Sequence, residues 1–138
     1  MESDILAEFL KYDKNLPLGV VENPDGNWPK EAPDGRRQYH VTFSSVHDRR
    51  VPSLLALPAN ISPPYPLILM LHGALGHKSS FNQIRRSDFM TAAGYATLRI
   101  DGQYRGEREV TPGGEVVSQT QYHYRNRDAM IQTAVDLM

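Results

Sequence analysis

The 138 residues carry 15 Lys+Arg against 16 Asp+Glu, no Cys, ten Gly and ten Pro. That length predicts one soluble, cytoplasmic piece able to bury roughly two-thirds of its unfolded surface, with no apolar run near the ~20 residues of a membrane span and no charged-then-apolar leader. A formal net charge of -1 gives no footprint for nucleic acid or an anionic membrane, and the missing thiols exclude a disulfide scaffold, a thiolate metal site and a cysteine nucleophile.

Ile5, Leu6, Phe9 and Leu10 recur at helical spacing behind Ser3 and Asp4, a pattern of a short capped amphipathic helix. From Leu16 to Gly35 the chain changes character. Pro17, Pro24, Pro29 and Pro33 with Gly19, Gly26 and Gly35 break any regular pattern, so this stretch predicts an extended arm.

Arg37 to Phe43 alternates, with Tyr39, Val41 and Phe43 on one face. His47-Asp48-Arg49-Arg50 is a polar turn, and Val51 to Leu57 resumes the apolar pattern, so the pair predicts a hairpin. Pro52 cannot donate to a ladder and predicts an edge or a bulge for the second strand.

The run Pro66-Leu67-Ile68-Leu69-Met70-Leu71 ends abruptly at His72-Gly73, which predicts a strand covered on both faces, as in a parallel sheet. Ser87 to Ala93 predicts a short helix stopped by Gly94. Tyr95 to Ile100 follows as a second buried strand ending at Asp101. Strand, helix and strand at this spacing make a parallel crossover unit. Tyr122, Ala129, Met130, Thr133, Ala134 and Leu137 then predict a helix over 122–138.

In an open α/β sheet ligands sit at the carboxyl ends of the strands. Two loops leave such ends: His72-Gly73-Ala74-Leu75-Gly76-His77 and Asp101-Gly102-Gln103-Tyr104-Arg105-Gly106-Glu107-Arg108. The first is rich in small residues, which leaves backbone N–H groups free to point at a developing negative charge. In the second, Asp101, Arg105, Glu107 and Arg108 either hold one another in an ion-pair network at the pocket rim or bind an acidic substrate. His77 and Tyr104 are candidate pocket residues.

A hairpin, a buried strand into His-Gly-x, a helix, and a strand into Asp-x-x-x-Arg-Gly together resemble the first half of an α/β-hydrolase. The nearest group is that of dienelactone hydrolases, acetyl xylan esterases and prolyl-oligopeptidase-like esterases. The resemblance covers about Arg36 to Met138. It divides the chain into a helix and Pro/Gly-rich arm, 1–35, and a partial α/β-hydrolase domain, 36–138. It also implies that the Ala74 N–H, with Leu75 as the alternative, donates to the oxyanion in ester hydrolysis. His72, Gly73 and Gly76 would then organise that loop, and His77, Asp101, Tyr104 and Arg105 would form the pocket rim.

The family's Gly-x-Ser-x-Gly elbow is absent from the 138 residues. The acid and base follow the serine in the family's chain order, so the expectation is an N-terminal portion whose triad lies beyond Met138. The run at Leu67–Leu71 would then form an open edge, to be completed by a C-terminal half or another subunit. The expected substrate is a small-molecule ester, with no cofactor.

Two other readings compete: a non-catalytic ligand- or partner-binding α/β module, and a peptidase of prolyl-oligopeptidase type. A metal-dependent hydrolase has little support, because the five histidines include no His-x-x-x-His or His-x-His pair.

Overall fold

Alternating residues over 37–44 and 50–57, joined by a polar turn, form the antiparallel hairpin that the sequence predicts. In the computed structural model, which describes residues 13–22, 30–46, 49–59, 61–73, 76–108 and 130–138, strand β3 spans Arg37–Ser44 and β4 spans Arg50–Leu57. They pair from Arg37↔Leu57 to Ser44↔Arg50. The arm is not free. Its short strands β1 (Val21–Glu22) and β2 (Lys30–Glu31) both lie antiparallel along β3.

The apolar runs form β5 (Leu67–Leu71) and β6 (Ala96–Ile100), parallel to each other with Leu67 opposite Ala96. Helix α1 (Phe81–Ala92) crosses between them. Strand β6 also pairs antiparallel with β4, so the order across the sheet is β1-β3-β4-β6-β5. This is a mixed α/β sheet with the strand–helix–strand unit at one side. The N-terminal helix lies outside the described residues, and of the C-terminal one residues 130–136 are described and helical. No described helix is long and apolar enough to cross a membrane.

Three expectations need correction. Pro52 lies in β4, an interior strand, and not at an edge or bulge. Its carbonyl accepts from Asp101 N at 3.3 Å. A strand residue's N and C=O face the same side, so the proline nitrogen looks past the end of the β4–β6 ladder, which stops at Ser53↔Ile100. No donor is needed there.

Strand β5 is not covered on both faces. Leu67, Leu69 and Leu71, which share one face, are 53%, 46% and 44% exposed, and β5 is the last strand of the sheet among the described residues. Its alternate residues Ile68 and Met70 are half-buried.

Helix α1 begins six residues before the predicted Ser87. The early turns escape detection because the helix turns a polar stripe inward: Gln83, Ser87 and Thr91 are buried, while Phe81 and Phe89 are exposed. Ser87 Oγ meets Thr97 Oγ1 at 2.6 Å, Thr91 Oγ1 donates to Ser87 O, and Gln83 donates to Leu71 O. The helix ends as the sequence predicts. Gly94, at φ +97°, follows Ala93, and Tyr95 N reaches back to Met90 O.

Among the described residues the buried apolar set is small: Val51, Leu54, Ala56, Ala96, Ile100 and Val135. Much of the remaining interior is polar and hydrogen-bonded, concentrated where β6 ends.

Candidate active site

Strands β5 and β6 run parallel, so their carboxyl ends lie side by side and the loops leaving them are neighbours. His72 joins the two loops. Its Nε2 accepts from Gly102 N at 3.0 Å while its Nδ1 donates to the Gly73 carbonyl at 2.8 Å. Both ring nitrogens are thereby engaged with backbone groups of the two loops.

Within the first loop Gly76 N donates to Gly73 O at 2.9 Å. A side chain at Gly76 would press on His72 Cβ at 3.1 Å and Ser80 Oγ at 3.3 Å, whereas Gly73 borders open space. Ala74 and Leu75, the expected oxyanion donors, lie outside the described residues. His77 is exposed. Its amide donates to Ser80 Oγ at 2.9 Å, so the hydroxyl at the start of α1 secures the loop and leaves the helix without a side-chain cap.

Lys78, which no motif in the sequence marks, is the centre of the site's electrostatics. It is 4% exposed. Its amide donates to Asp101 Oδ1 at 2.7 Å, and its ammonium pairs with Asp101 Oδ2 and Glu107 Oε1. Nothing in the local pattern Gly76-His77-Lys78-Ser79 signals burial; only the pairing of β5 with β6 brings Asp101 beneath it.

Asp101 is fully buried, so it supports the loops from below and does not stand at the pocket rim. Burial pushes its carboxyl pKa up, but hydrogen bonds from the Lys78 ammonium, the Lys78 amide and the Glu107 amide outweigh that and hold it below the ordinary carboxylate value. The 3₁₀ turn Gly106–Arg108 brings the Glu107 amide to Asp101 Oδ2 at 3.0 Å. Gly106, at φ +55°, is required there, since a Cβ would overlap the Asp101 carboxylate.

Among the described residues Asp101, Arg105, Glu107 and Arg108 form no ion pair with one another, contrary to the expected network; Asp101 and Glu107 pair with Lys78 instead. Arg108 pairs with Asp136 of the C-terminal helical segment, bonds Gln103 and donates to the Asp101 carbonyl at 3.1 Å. His40 donates from Nε2 to Glu107 Oε1 at 2.9 Å. Arg105 takes no part through its side chain; its amide donates to Gly102 O at 3.0 Å. Tyr104 is half-buried at φ +63°, a left-handed conformation uncommon for a bulky residue.

Arg99, 1% exposed, donates to the Lys78 carbonyl and to Gln38 Oε1, each at 3.0 Å. Burial lowers its pKa, a shift that Asp88 partly offsets. No cluster of three or more His, Asp or Glu able to hold a metal occurs among the described residues.

Several solved structures share this fold. A cold-adapted esterase from an Arctic intertidal metagenomic library, solved bound to PEG, superposes with a TM-score of 0.61 at 20% identity, over 85% of this chain and 47% of that one. Acetyl xylan esterase 1 from Thermoanaerobacterium sp. JW/SL YS485 gives 0.66 at 13% identity, over 97% and 42%. The acetyl xylan esterase from Paenibacillus sp. R4 gives 0.55 at 19% identity, over 96% and 42%. The chain thus spans less than half the length of each, and at these identities the likeness establishes the fold. No curated protein matches the chain by sequence. The acetyl xylan esterase family model matches residues 29–136, from the end of the arm into the last helical segment, and the chain belongs to that family.

Proposed function

We propose that these residues supply the oxyanion-loop portion of a serine hydrolase that cleaves a small carboxylic ester, with an acetyl ester as the first substrate class to try. The observation that carries this reading is the latch between the two carboxyl-end loops, Gly102 N to His72 Nε2, which holds the His72–His77 loop beside the end of β6. In this reaction a serine oxygen adds to the ester carbonyl, and a histidine takes the hydroxyl proton and returns it to the departing alcohol. Water then releases the acid by the same two steps. Negative charge gathers on the carbonyl oxygen in each tetrahedral intermediate, and the Ala74 N–H is our choice of donor to it. The 138 residues hold no Gly-x-Ser-x-Gly, so the nucleophile and its partners are assigned to chain beyond Met138.

The exposed apolar edge of β5 supports the same reading. A further strand, from a C-terminal half or another subunit, would pair with the open backbone edge of β5 and complete the sheet.

The test is hydrolysis of p-nitrophenyl acetate by the full natural chain and its A74P and L75P variants. Proline removes the N–H, and losing one oxyanion donor costs about 3 kcal/mol of barrier, roughly a hundredfold or more in kcat. A74P should show that loss while A74G, which keeps the donor, does not. Loss confined to L75P would move the role to Leu75. No hydrolysis by the parent protein would contradict the esterase reading.

A further inference from the structure

A buried lysine is costly unless its ammonium is paired and hydrogen-bonded, so the burial of Lys78 asks for a reason. Every polar end of this residue is fixed to β6 or to the loop that leaves it. The amide and ammonium bind the two oxygens of Asp101, and the carbonyl accepts from Arg99. At the other end of the same loop, His72 is held by Gly102 N. His72 and Lys78, the residues on either side of 73–77, are therefore both anchored to the short stretch Arg99–Gly102.

Charge adds a second constraint. A bare carboxylate at the carboxyl end of β6 would oppose negative charge that develops at the neighbouring loop. The Lys78 ammonium lies against Asp101 and also against Glu107, which is itself bonded by His40. Arg99 and Arg108 are the other charged groups facing this cluster, through the Lys78 and Asp101 carbonyls.

We propose that Lys78 is a positioning residue for the oxyanion loop, holding residues 73–77 in place from Asp101 and offsetting that carboxylate's charge. This rests on the esterase reading above, yet it concerns a residue outside the donor pair and makes a separate demand.

The test is K78M in the full natural chain, which keeps the amide hydrogen bond to Asp101 and removes the ammonium. We expect kcat on p-nitrophenyl acetate to fall about tenfold or more with KM changed less than about threefold, since only the transition state carries the oxyanion. Amide hydrogen exchange over 73–77 should speed up in the variant. A folded K78M with kcat within about twofold of the parent and unchanged exchange overturns the proposal. If K78M does not fold, K78M/D101N removes both buried charges together, and the same two readings decide. A parent protein without hydrolysis contradicts the esterase reading instead, and the exchange comparison then decides whether Lys78 positions the loop.

Discussion

The imidazole of His72 accepts the Gly102 backbone N–H at 3.0 Å, and Gly102 is buried. No other described acceptor for that amide replaces the ring. Substituting His72→Ala leaves a buried donor unpaired, which costs about 1–3 kcal/mol. Urea denaturation should show a lower midpoint at unchanged slope. A shift below about 0.5 kcal/mol would mean that the latch contributes nothing to stability.

The inward polar stripe of α1 gives a sharper contrast. Ser87 is 1% exposed and Thr97 is 0% exposed, with their hydroxyls 2.6 Å apart. S87A should destabilise by about 1–2 kcal/mol, because it leaves the Thr97 hydroxyl buried with its nearest partner gone. S87A/T97V should recover most of that loss, since removing both partners avoids the desolvation penalty. Additive single effects would contradict the pairing.

Acid should unlock the site from Asp101. Its folded-state pKa lies below the ordinary value of 3.8, so the folded protein binds fewer protons than the unfolded chain in that range. The stabilisation is present above about pH 4 and is lost as pH falls through the folded value. Denaturation midpoints measured from pH 6 downward should drop in this window, and D101N should flatten this part of the acid limb while lowering stability near neutrality. Parallel acid limbs in the two proteins would show that Asp101 is not the group responsible.

These residues also show how far the sequence could be read. The hairpin and the β5–β6 crossover were legible because strand periodicity, the polar turn at 47–50 and Gly94 all act locally. The start of α1 was not, because Gln83, Ser87 and Thr91 turn inward and Phe81 and Phe89 outward, the reverse of the pattern that marks a core-facing helix. His72 was legible from its place at the end of an apolar strand. Lys78 was not, since its burial depends on Asp101, 23 residues away in sequence. Asp101 is legible as a loop residue expected at the pocket rim but its depth is not, because an aspartate at a strand end shows its burial only once its partners are known.

The proposed ester hydrolysis puts the activated serine in chain beyond Met138. Intact mass of the natively produced protein, with and without a fluorophosphonate probe, tests it most directly. The account predicts a species well above 15.6 kDa that gains a single probe adduct. A 15.6 kDa species that takes no label would contradict it and leave a binding module of the same fold.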